Sequence, residues 1–116
     1  MILLTSTSDV ISVVTSASGD IEVHASWVDL SGSTVTPGRT NTASITTATT
    51  TPVVGSPAGS TQRNVKFLSI RNAHASVQND VTVRHTDGTN INELIKFTLG
   101  AGESAIFIEG VGWKRF

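Results

Sequence analysis

Residues Val81–Leu99 read VTVRHTDGTNINELIKFTL, and whether this stretch is helix or strand decides the fold. Its second half holds good helix formers (Glu93, Leu94, Lys96), yet Ile91, Ile95, Phe97 and Leu99 fall on one parity, the period of a strand. Asp87-Gly88 stands between the halves. Asp-Gly supplies the φ > 0 that a type I′ hairpin turn needs at both central positions, so the stretch reads as an antiparallel hairpin.

The same period recurs outward from the hairpin. Val10–Val14 is a β-branched run, and Ile21, Val23, Ala25 and Trp27 alternate with Glu22, His24 and Ser26 as in a half-buried strand. That parity places Trp27 in the core. Val28 and Leu30 then fall on the opposite parity, which indicates a bulge or a change of partner near Trp27. VKFLSIRN (Val65–Asn72) has apolar residues on both parities, the pattern of a central strand covered on both faces. Turn signals at SGD, SGST, TPGR, TDGT, GAGE and EGVG divide these runs. Short strands at this spacing predict one all-β domain over residues 1–116, an antiparallel β-sandwich of jelly-roll or immunoglobulin-like type, or a small barrel.

The Thr-rich stretch Thr40–Asn64 divides in two. Threonine is β-branched and stiff, so Asn41, Ala43 and Ile45 alternating with Thr42, Ser44 and Thr46 predict strand, and Val53-Val54 a further extended piece. GSPAGSTQRN has little to bury and reads as an exposed loop near 55–64.

Composition narrows function more by exclusion than by indication. Charged residues are 15% of the 116 and the net charge is -1, so no broad positive field draws nucleic acid or anionic lipid. There are no cysteines, so disulfides and thiolate chemistry are excluded. The apolar start is only Met1–Leu4 with no basic residue before it, which does not read as a signal peptide, and no run approaches the roughly 18 apolar residues of a bilayer span. A soluble protein made without export is expected.

Chemistry-bearing patterns are equally sparse. His24, His74 and His85 lie in separate elements without metal-ligand spacing, GSPAGS lacks the nucleophile elbow, and the glycines precede no helix that would bind phosphate. No enzyme, metal or cofactor is expected. The segments that a core needs least and that reach furthest are the candidate protein interface: Ile2, Leu3 and Leu4 at the start, Pro57, Gln62 and Arg63 in the loop, and Trp113, Lys114, Arg115 and Phe116 at the end. Two readings stand for Trp113 and Phe116: they close the domain with a last strand, or they hook a neighbouring subunit.

Five segments carry a resemblance: MILLTSTSDVISVVT, VHASWVDLSGSTVTPGRTNTA, QRNVKFLSIRNAHAS, VTVRHTDGT and IEGVGW. Together they cover most of the chain and resemble small all-β proteins encoded among the virion genes of tailed bacteriophages and prophages. The resemblance implies a virion structural protein made in the bacterial host cytoplasm. A capsid decoration (cement) protein that binds and stabilises the assembled head is the leading expectation, with the major capsid protein or other virion subunits as partners and homo-oligomers in the particle. The alternative is a tail, neck or fibre accessory protein, including a host-recognition module. A cell-wall hydrolase would need two converging carboxylates.

Overall fold

Alternating and β-branched segments become strands throughout the chain. The computed structural model describes all of Met1–Phe116 and holds ten strands and no helix. In chain order they are β1 (Ile2–Leu4), β2 (Val10–Thr15), β3 (Ile21–Ser31), β4 (Thr34–Ile45), β5 (Thr50–Val54), β6 (Gln62–Asn72), β7 (Asn79–Thr86), β8 (Ile91–Leu99), β9 (Ser104–Ile108) and β10 (Gly112–Arg115). One sheet has the order β10-β9-β6-β3-β4, with β1 also paired to β6; the other has the order β5-β2-β7-β8. Every pairing is antiparallel. The two sheets pack face to face as a β-sandwich, and both remain open at their edges, so the fold is not a barrel.

Seventeen buried apolar residues fill the space between the sheets. Most are Val and Ile, whose branched side chains suit a pleated surface. Ile21, Val23 and Ala25 supply the β3 share, as their parity indicated. Most polar groups inside the domain are satisfied, the exceptions being Arg84 Nε and His85 Nε2, which are buried without a hydrogen-bond partner. The Asn72 side-chain amide donates to the Val77 and Leu99 carbonyls and its oxygen accepts from the His74 amide, while Asn79 accepts from the Ser16 amide and donates to the Ala17 carbonyl. These two asparagines tie the loops at one end of the sandwich to β6 and β7, and leaving them unpaired at this depth would be costly.

Three local readings change. The Asp87-Gly88 turn is a four-residue loop closed by the Thr86–Ile91 pair, and positive φ occurs at Gly88 but not at Asp87. Asp87 Oδ1 accepts the Thr89 and Asn90 amides, so an Asx turn takes the place of type I′ geometry. The two-residue hairpin lies instead at Gly32-Ser33, between Ser31 and Thr34, where positive φ is confined to Gly32 as a type II′ turn requires.

The mixed parity of β6 has a different cause from double coverage. Ser26 pairs with Phe67 but Trp27 pairs with Val65, so Lys66 is an extra residue in a bulge. Val65 and Leu68 therefore both point inward and are fully buried, while Phe67 faces out. Being central, β6 still pairs with β3 on one side and with β1 and β9 on the other. The exposed loop is also shorter than expected. Gln62, Arg63 and Asn64 already belong to β6, and Pro57 and Thr61 are buried.

Candidate interaction surface

The β3–β4 hairpin continues past the core. Beyond Ala25 no residue of β3 is buried, and in the twelve residues of β4 only Ile45 is. Yet β3 pairs with β4 without interruption from Val23 to Ser31. Because that register has no slip, Val28 and Leu30 truly face outward. The apolar residues on the "wrong" parity mark an outer sheet face, and the irregularity expected near Trp27 does occur, between Ser26 and Trp27 in the pairing with β6, where Lys66 is the extra residue.

Neighbouring strands extend this face. Register places Pro37, Val28, Asn64 and Leu3 in one row across β4, β3, β6 and β1, and Val35, Leu30 and Gln62 in the next. Leu3 is 42% exposed, Leu30 37% and Val35 62%, and none of these seven residues is charged. The result is a charge-free, largely apolar end to the outer face of the larger sheet, where single exposed apolar side chains would need no explanation but a contiguous group does.

The free edge of β4 adjoins it. A two-residue loop closes on a hydrogen-bonded Ser31–Thr34 pair, and alternation then puts Pro37 at a non-hydrogen-bonded position with its nitrogen toward the open edge. Proline there takes no bond from the β3 ladder and blocks one point of the edge. Arg39 is the only charge along the strand.

A clamp on the opposite side stiffens the hairpin. Arg63 makes a bidentate pair with Asp29 (Nε to Oδ1 2.9 Å, Nη2 to Oδ2 3.0 Å) and donates from Nη1 to the Gly55 carbonyl. Its guanidinium carbon also lies 4.4 Å from the centre of the Trp27 ring. Trp27 is half-buried beside the core instead of inside it, and it spreads over Gly38, where an added Cβ would lie 2.6 Å from its indole nitrogen. Planar stacking plus two parallel hydrogen bonds is chemistry that lysine cannot supply.

The sequence-based interface residues separate into three groups. Leu4 is fully buried in the core, Pro57 is buried under its loop, and Arg63 is committed to the clamp, so these three side chains hold the domain together. Ile2 also packs against the core. Leu3 and Gln62 lie together on the charge-free face. The C-terminal four stand elsewhere, Trp113, Lys114 and Arg115 on β10 at the sheet edge beyond β9 and Phe116 directly after it.

There Trp113 closes the domain. Its ring packs 5.8 Å from Phe97 of the smaller sheet and 5.2 Å from Phe107 of β9. Arg115 pairs with Glu103, and Phe116 exchanges backbone hydrogen bonds with Ser104. Only Lys114 and the Phe116 side chain are left to solvent among the uncommitted groups of this C-terminal segment.

The histidines are as separate in space as in sequence. His24 Nδ1 lies 2.6 Å from Asn41 Oδ1 on the outer face, His74 Nδ1 accepts the Ser76 and Val77 amides, and His85 Nε2 is 3.9 Å from Asp9 Oδ2. Burial works to raise the Asp9 pKa, but the Thr5 amide, the Ser6 hydroxyl and amide, and His85 outweigh it and hold the carboxyl below its ordinary range. That network fastens the turn between β1 and β2. No helix is long and apolar enough to cross a membrane.

Comparison with protein-family models, curated proteins and solved structures finds no match to this chain.

Proposed function

We propose that this chain is a structural protein of a tailed-phage particle, a capsid decoration protein that docks on the repeating protein lattice of the head. The observation that carries the reading is the charge-free end of the larger sheet, formed by Leu3, Val28, Leu30, Val35 and Pro37 and stiffened from behind by the Arg63 clamp. Contact cores between proteins are depleted in charge because each buried ion must be desolvated, and a rigid surface loses little entropy on docking. The resemblance of most of the chain to virion proteins supports the same role. A shell displaying the same contact many times would retain the protein even at modest affinity per site, provided the bound copies also touch one another.

This reading replaces the termini with a sheet face as the contact surface. Leu3 and Gln62 remain in it; Trp113 and Arg115 leave it because they are spent within the domain. The test is particle binding by the double variant Leu30→Glu, Val35→Lys, whose opposite charges face each other across the β3–β4 pair without repulsion. Both side chains are exposed, so the variant should fold and melt like the parent, yet fail to co-sediment with heads that retain the parent at high copy number. Undiminished retention of the variant, or no retention of the parent, would overturn the proposal.

A further inference from the structure

A second feature lies at the other end of the same outer face. Between Ile21↔Ile45 and Val23↔Thr42, β3 spends one residue, Glu22, while β4 spends two, Ala43 and Ser44. This irregularity opens a shallow depression of about 340 Å³, lined by eight residues of which only one is hydrophobic. Such a volume is at the lower end of what small-molecule sites occupy, roughly 300 to 1,000 Å³.

We propose that this depression binds a neutral saccharide. Glu22 and Arg71 are direct cross-strand partners, yet no ion pair joins them and neither makes a side-chain hydrogen bond within the domain. They bring one acceptor group and one donor group to the same rim with no net charge. The Ser69 and Ser44 hydroxyls and the His24–Asn41 pair complete the polar lining. With Asn41 Oδ1 facing His24 Nδ1, the Asn41 amide is left to donate and His24 Nε2 is left without a partner in the domain. Phe67, half-buried on the same face, sits 6.1 Å from the His24 ring and offers an apolar surface beside the polar floor.

Ligand chemistry follows from that inventory. An anion would meet the Glu22 carboxylate, a divalent cation would find a single carboxylate, and an apolar ligand would have to desolvate a polar floor. A pyranose matches instead: its hydroxyls both donate and accept, and its C–H face packs on an aromatic ring. The site is far from Leu30 and Val35 along β3, so it is independent of lattice docking.

The experiment is an amide-resolved NMR titration of the intact chain with the methyl pyranosides of glucose, galactose, mannose and N-acetylglucosamine, and separately with inorganic phosphate. The expected result is saturable shifts with at least one saccharide at His24, Asn41, Ser69 and Arg71. Affinity should fall about tenfold in His24→Ala and in Arg71→Ala, whose other resonances stay in place. The proposal is overturned if no saccharide gives saturable shifts there, if phosphate alone does, or if both variants bind as the parent does.

Discussion

Replacing Arg63 by alanine removes three interactions at once and leaves their partners behind. The Asp29 carboxylate loses a bidentate partner at a site where the two side chains are 14% and 21% exposed, the Gly55 carbonyl loses a donor, and Trp27 loses the guanidinium on its face. Hydrogen bonds to a charged group are worth about 1.5 to 3 kcal/mol, and a cation over an indole about 0.5 to 1 kcal/mol. Partial exposure discounts these figures, so we expect a loss of about 3 kcal/mol, a large share of the roughly 5 to 15 kcal/mol of a typical domain. Urea unfolding followed by Trp fluorescence measures it. With a slope of roughly 2 kcal/mol/M, the midpoint should drop by about 1.5 M. Arg63→Lys keeps the charge but not the fork, and should recover less than half. A loss below about 1 kcal/mol for Arg63→Ala, or full recovery by lysine, would refute the clamp; so would a double-mutant cycle with Asp29→Ala that shows no coupling.

Trp113→Ala should cost about 2 to 3 kcal/mol, below the loss for a fully buried tryptophan because the ring is half-buried, and urea unfolding would expose a mere surface hook by showing almost no change. Gly88→Val should destabilise by about 1 kcal/mol or more, since φ is +93° and a Cβ there would lie 2.9 Å from the Ser8 Cβ; an unaltered melting temperature would count against it. Acid should weaken the fold through Asp9, Asp87 and Glu103. All three carboxyls are held below their ordinary values of 3.8, 3.8 and 4.5, the second chiefly by the Asn90 amide and the third chiefly by the Gly100 amide with help from Arg115. A depressed folded pKa gives stability that is complete above the unfolded pKa and lost as pH falls through the folded one, so melting temperature should decline below about pH 4. The gap between the parent and Asp9→Asn should accordingly be wide at pH 7 and narrow at pH 3, and a constant gap would show that the Asp9 charge is not what matters.

Period-2 alternation made the sandwich legible, because residues such as Ile21, Val23 and Ala25 report their own burial. Bulges hid the rest. Lys66 reverses the parity of β6, but nothing local to VKFLSI distinguishes an extra residue from a strand covered on both sides. Asp87-Gly88 carries the composition of a two-residue turn, while its flanking register, shifted between Val83 and Arg84, decides that four residues are spanned. Arg63 looked free because its partner Asp29 lies 34 residues away and meets it only through the β3–β6 pairing. The depression at Glu22 is likewise a property of two strands together. One signal for the candidate surface was present in the sequence: the apolar Val28 and Leu30 opposite in parity to Trp27, which mark an outward-facing apolar row once the register is known to run unbroken.

If the chain is a decoration protein as proposed, imaging of phage particles encoded together with it, at a resolution that traces strands, would show what the charge-free face touches. Docking on a symmetric shell predicts many copies per head at equivalent positions, each with the Leu30–Val35 end of β3 and β4 against the capsid protein and the smaller sheet turned to solvent. Heads without the protein, or copies seated through the smaller sheet, would show that the contact surface has been assigned to the wrong face or the protein to the wrong assembly.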